Sequence, residues 1–255
     1  MNDCCCMEAL ETAGRMMMEY GGETYRVEET VTRMGHCFGL DTIESFAVPS
    51  GLFISFRRED GRAESTVVRI RSRGTDLSRV NAVNAVSRQC VEQGLSPEEA
   101  LRRLKAITKQ PAPSAWLQIG AAALSSSGFT LMFGGSPLDM ALALVAAALV
   151  QAMNALPERY RMGGMISALM GSFFSALLPT LFHALTGLGH LDLAIAGALM
   201  PLLPGLAMTN AVQDAFRGDM ISAVSHAMRA TMTAVMVAGG ALLATTLYGV
   251  LGGMF

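Results

Sequence analysis

Residues 111–255 carry only nine charged side chains, while residues 1–110 carry the other 31 of the 40 in the chain. A 145-residue stretch with so few charges cannot cover a soluble globule with polar surface, so this part is expected to lie in a lipid bilayer. Over the whole chain 16% of residues are charged, against about 25% in an ordinary soluble domain. The formal charge is −2, with both signs mixed through the first part. That pattern leaves no basic footprint for a nucleic-acid partner.

The apolar part divides into five runs, at about 114–134, 138–156, 163–186, 191–212 and 222–250. Each is near the roughly 20 residues that a bilayer-crossing helix needs. Arg159, Arg161 and Arg217 fall in the second and fourth connectors, and the first and third connectors contain no Lys or Arg. The positive-inside rule then places those two connectors and the Arg-rich first part in the cytoplasm, with the C-terminus outside. Trp116 and Tyr160 fall at the inner interface, where aromatic belts form. The expected fold class is a multi-pass α-helical protein of the cell (inner) membrane, with five transmembrane helices and an N-terminal cytoplasmic α+β domain.

The domain boundary is expected at 110/111, where Pro111 and Pro113 end a helix and stiffen the junction. Before it, helices are predicted at 5–20 and 23–38, the second from Val27, Val31, Met34 and Phe38 at helical spacing. Strands follow at 42–48, 52–58 and 65–71, with a hairpin turn at Asp60-Gly61. A helix at 76–93 precedes another opened by Ser96-Pro97-Glu98-Glu99, a cap, a first-turn proline and a capping box. The five cysteines have neither C-x-x-C spacing nor a neighbouring His pair, so neither a disulfide framework nor a metal site is expected. Asp3 and Glu8 with no apolar run between them argue against a cleaved signal.

A lipid anchor needs no polar groups at depth, whereas a transport path does. Here Ser125-Ser126-Ser127, Gln151, Asn154, Pro179 and His183 lie within the apolar runs. In the fourth run Met200-Pro201-Leu202-Leu203-Pro204-Gly205 places two prolines and a glycine within five residues, followed by Asn210 and Asp214. Prolines remove backbone donors, and freed carbonyls persist at membrane depth only where protein or a water-filled cavity satisfies them. The segment is therefore either a kink satisfied by a neighbouring helix or a broken helix that binds solute. Pro204, Gly205, Asn210 and Asn154 are the substrate-binding candidates.

Asp214, about two and a half turns beyond the break on the cytoplasmic side, is the candidate for proton coupling. Asp192, at the outer start of the fourth run, is either a solvated helix cap or a second proton-accepting carboxylate; Asp139 reads as a solvated cap. Arg229 either snorkels at the inner interface or acts as a charge partner for Asp214 or a substrate carboxylate. Gly163-Gly164, Gly171 and Gly239-Gly240 suit close helix packing. The sequence has no G-x-x-x-x-G-K-[ST] motif, so energy from a solute or proton gradient is expected, without a cofactor. Five spans make one half of an inverted repeat, so a second polypeptide or a homo-oligomer is expected to complete the path.

The segment Gly21-Gly22-Glu23-Thr24-Tyr25-Arg26-Val27-Glu28-Glu29-Thr30-Val31 resembles the opening signature of the threonine/serine exporter family. So does Met200-Pro201-Leu202-Leu203-Pro204-Gly205-Leu206 with Asn210, Asp214, Gly218-Asp219 and Arg229 beyond it. The resemblance covers essentially the whole chain. It implies proton-driven export of threonine and serine, or of succinate as in some split forms. It also implies a split form in which this larger subunit works with a small multi-span partner.

Two other functions fit the residues without that resemblance. One is a membrane-anchored hydrolase acting through residues 1–110, with His36, Cys37 and Ser55 as its reactive groups and Glu28 or Glu29 orienting them. The other is a scaffold or sensor whose cytoplasmic domain binds a partner. The resemblance favours the exporter subunit, with a small-molecule substrate, the bilayer as environment and no enzymatic step.

Overall fold

A computed structural model describes residues 3–40, 42–57, 62–72, 74–111, 113–154 and 164–252. The hairpin turn at Asp60-Gly61 and the connector with Arg159, Tyr160 and Arg161 lie outside the described residues, as does Gly163. The chain separates into two compact units, one of Met1–Pro111 with Thr209–His226, the other of Ala112–Met208 with Ala227–Phe255.

The first unit opens with helices α1 (Asp3–Glu19) and α2 (Thr24–Cys37). Strands β1 (Thr42–Val48), β2 (Gly51–Arg57) and β3 (Ala63–Arg69) follow, then helices α3 (Leu77–Gln93) and α4 (Pro97–Thr108). The strands form one antiparallel sheet in the order β1-β2-β3, with Phe46 opposite Phe53 and Phe53 opposite Val67. Alternation along the strands buries Ile43, Ala47, Leu52, Ile54, Phe56 and Val68, because successive side chains point to opposite faces. They share one core with Leu10 and Met17 of α1, Val27, Val31 and Met34 of α2, and Leu104 of α4.

The start of α4 has the cap and first-turn proline expected from the sequence, but the Glu99 carboxylate turns to Arg102 and Arg103 instead of closing the expected capping box. Ser96 accepts from the Glu99 amide at the head of α4, with Pro97 in its first turn. Asp76 accepts from the Arg79 amide at the head of α3. The Ser78 hydroxyl holds the Asp76 carboxyl below its usual value of 3.8, and the Arg79 amide and guanidinium add to this against the opposing effect of burial. A carboxyl whose pKa falls on folding adds stability that is present above the unfolded value and lost as the pH drops through the folded one. Asp76→Ala should therefore cost about 1 kcal/mol at neutral pH, with a smaller deficit once the pH is brought well below 3.8. Thermal unfolding of the purified full-length protein at the two pH values checks both parts.

The second unit contains α5 (Ala115–Met132), α6 (Pro137–Asn154), α7 (Gly164–Thr186) and α8 (Leu191–Leu199), the last followed by a 3-10 turn at Met200–Leu202. Helices α9 (Gly205–Phe216) and α10 (Met220–Gly252) are divided between the units. Three described helices, α6, α7 and α10, are long and apolar enough to cross a membrane. The α8 and α9 segments together make a fourth candidate, bent by 61° at the break. Five spans are expected from the sequence. The run at 114–134 forms α5, which has 18 residues but is diluted by Gln118 and Ser125-Ser126-Ser127 and is not among these candidates.

Several polar residues of the apolar runs prove to be ties between helices. Ser126 Oγ on α5 lies 3.0 Å from Ala143 O on α6 and 2.9 Å from Gly197 O on α8. A Cβ on Gly197 would overlap Thr130 Oγ1, so glycine is what lets α8 approach α5. Gln151 donates to Gln118, joining α6 to α5. Of the paired small residues, Gly171 and Gly240 sit in tight contacts, whereas Gly164 and Gly239 face open space.

Asp139 does cap α6, exchanging bonds with the Ser136 amide and hydroxyl. The expectation of a solvated carboxylate is corrected: Asp139 is fully buried and also accepts from the His190 amide at 2.7 Å. His190 Nδ1 lies 3.0 Å from its other oxygen, which ties the α7–α8 loop to α6.

Candidate functional site

The break in the fourth apolar run falls where the prolines place it. After the 3-10 turn, Leu203 is extended (φ −70°, ψ 141°). Neither Pro201 nor Pro204 has an amide hydrogen to continue the helix. Helix α9 restarts at Gly205, and Met208 donates to Pro204 O. Pro204 is half-buried and Gly205 exposed. One turn apart on α9, Asn210 and Asp214 are its buried residues.

A tight reversal follows. Gly218, with φ +84°, occupies the left-handed position just past α9, and its amide bonds to Ala215 O while the Asp219 amide bonds to Asp214 O. This is a Schellman closure, which glycine enters without steric cost. Asp219 then caps α10, accepting from the Ser222 amide at 3.5 Å. The Gly218-Asp219 pair thus turns the chain so that α10 brings His226 back onto Asp214.

The result is a buried carboxylate–imidazole pair. His226 Nδ1 lies 3.0 Å from Asp214 Oδ2, with side-chain exposures of 4% and 1%. Thr24 Oγ1, at the head of α2, donates to the same oxygen at 3.5 Å. Beside it, the Arg217 guanidinium carbon stacks 3.4 Å from the centre of the Tyr25 ring. Tyr25, Glu28, Phe46, Asp214, Arg217 and Asp219 help line an open cleft of about 550 Å³. Glu28 accepts from the Ala47 amide at 2.8 Å. Burial pushes its carboxyl above the usual range, the Ala47 bond works against this, and the nearby Asp219 charge adds to it.

The first signature segment, at 21–31, therefore meets the second across 190 residues of sequence. The sequence marks Asp214 and Asn210 but misses His226, Thr24, Tyr25 and Arg217 as their surroundings. The available signal was the Gly218-Asp219 turn, which commits residues a few turns into α10 to face α9.

Asn154, Asp192 and Arg229 belong to the second unit. Asn154 ends α6 and accepts from Ser167 Oγ on α7 at 3.1 Å. Asp192 is exposed in the first turn of α8. Arg229 is exposed on α10 and forms no ion pair among the described residues; the imidazole beside Asp214 is that of His226. The residues of the hydrolase reading each have a local structural partner. His36 Nδ1 lies 3.0 Å from Leu40 O, the Cys37 thiol donates to Cys90 O, and Ser55 pairs with Ser65 across β2 and β3. Burial raises the Cys37 pKa and, with Cys37 alongside, pushes Cys90 up to about 11. Both thiols are therefore protonated at neutral pH. Among the described residues no cluster of His, Cys, Asp and Glu could hold a metal ion.

The chain is similar to the "Probable succinate transporter subunit YjjP" of Klebsiella aerogenes, 23% identical over 92% of this chain and 91% of the relative. Its Escherichia coli counterpart is 21% identical over 94% and 93%. The "Probable threonine/serine exporter" of Mycobacterium tuberculosis is 22% identical over 83% of this chain, and only 40% of that longer protein is matched. No solved structure matches. The family model described as "Putative threonine/serine exporter" matches residues 8–248, and the chain, a membrane protein of transporter type, belongs to that family.

Proposed function

We propose that this chain is the larger subunit of a proton-coupled secondary exporter of small hydrophilic metabolites, either threonine and serine or a dicarboxylate such as succinate. One observation carries the reading: α9 runs from a proline-made helix break to a buried carboxylate–imidazole pair. That arrangement joins a place where solute can meet irregular backbone to a group that can take up and release a proton. Pro204, Gly205, Asn210 and Asn154 contact the substrate, and Arg229 offers a guanidinium to its carboxylate. Asp214 carries the proton at the cytoplasmic end and Asp192 at the outer end. The chain crosses the inner membrane five times, α5 included, with residues 1–110 in the cytoplasm and the C-terminus outside.

A small multi-span subunit of the same family, or a second copy of this chain, completes the path. The relatives named as transporter subunits support a shared path. The test is efflux from cells lacking their own exporters and loaded with both threonine and succinate, with this chain expressed alone and together with a small partner. Faster loss of one solute only with the partner is the expected result, and it names the substrate class. Retention of both solutes, with both proteins verified in the membrane, would overturn the reading in favour of a scaffold or sensor.

A further inference from the structure

A groove between α2 and α3 of the first unit gathers three arginines that the transport reading does not use. Arg26 and Arg33 of α2 and Arg88 of α3 surround a cavity of about 410 Å³, which Tyr25, Glu29 and Asn84 also line. Arg26 and Arg33 are seven residues, two helical turns, apart and so share a face; Asn84 and Arg88 are one turn apart on the facing helix. Arg26 pairs with Glu23 and Arg33 with Glu29 within the same helix. Such exposed pairs contribute little, and a guanidinium with five N–H donors keeps most of them for another acceptor. Arg88 is exposed, and its side chain makes no ion pair or hydrogen bond among the described residues. With Glu23 and Glu29 each paired to one arginine, the third guanidinium, Arg88, leaves the groove net positive, at a volume suited to a small molecule.

We infer that this groove binds a small dianion bearing carboxylate or phosphate oxygens, and that its occupancy regulates transport. Arg88 takes one oxyanion end through its planar fork with the Asn84 amide beside it, while Arg26 and Arg33 take the other. The connection to the transport residues runs through Tyr25. Arg26 Nε donates to its hydroxyl at 3.2 Å, and its ring carries Arg217. Adjacent Thr24 reaches Asp214. An anion that draws Arg26 away from Tyr25 biases this stack, one residue from the Asp214 contact. The regulatory half rests on the transport reading; the binding half does not.

Titration calorimetry on the full-length protein in detergent tests binding, with succinate, inorganic phosphate and, as a zwitterion, threonine. Saturable binding of a dianion that weakens with added salt is expected, at least tenfold weaker in Arg88→Gln and partly restored in Arg88→Lys. The tighter of succinate and phosphate identifies the ligand's source. Binding of neither dianion, an unchanged affinity in Arg88→Gln, or an equal dependence of threonine binding on Arg88 would overturn the site. In vesicles, Arg88→Gln should keep basal efflux and lose its modulation by a dianion on the cytoplasmic side; retained modulation would overturn the regulatory half. Absence of any wild-type efflux would instead count against the transport reading and leave the calorimetric result standing.

Discussion

Asp214→Asn is expected to abolish gradient-driven efflux, by 100-fold or more, while leaving the protein inserted in the membrane. Asparagine has nearly the shape of aspartate and can keep the Thr24 contact, but it cannot gain and lose a proton. Asp214 is almost fully buried beside His226, where a change in charge is felt far more strongly than in water. His226→Ala should act differently. It leaves the buried carboxylate without its imidazole partner, at a cost of about 3–5 kcal/mol, so folded yield falls together with transport. Efflux by Asp214→Asn above a tenth of wild type, measured with matched amounts in the membrane, would remove Asp214 from the coupling role.

Gly240→Ala should destabilise the helical unit strongly, while Gly239→Ala next to it should be nearly neutral. A Cβ at Gly240 would overlap the Leu169 carbonyl and Ser172 Oγ on α7, and it would come within 3.0 Å of the Phe173 amide nitrogen. Two of those obstacles are backbone, so relief requires separating α7 from α10 rather than turning a rotamer. Overpacking of this kind costs on the order of 3 kcal/mol. At Gly239 a Cβ meets nothing within 4 Å, and the change should stay within about 0.5 kcal/mol. Thermal unfolding of the two variants in the same detergent gives the comparison. Equal midpoints would contradict the close α7–α10 approach.

The elements are legible in the sequence where the signal is local. Ser96 and Pro97 open α4 because a side-chain oxygen and a ring-locked φ act on the next few residues alone. The break at 200–205 was visible for the same reason, since a missing amide hydrogen interrupts a helix wherever it occurs. Asp214 and Asn210 stood out because polar groups are rare in an apolar run. Their partners did not. His226 looked like the polar start of another span, and Tyr25 and Thr24 belonged to a segment some 190 residues earlier. Ser126, read as one of three serines marking a transport path, binds carbonyls of two other helices.

By itself, then, the sequence determined the split between a charged and an apolar part, the positions of helices and strands, and the place where the fourth apolar run must break. Hydropathy, capping and proline stereochemistry act over a few residues and need no tertiary partner. Only the tertiary structure decided that residues 209–226 group with the N-terminal unit, that His226 rather than Arg229 lies beside Asp214, and that Arg217 stacks on Tyr25. Those contacts depend on which helix faces close against which, and that is set by packing over the whole chain.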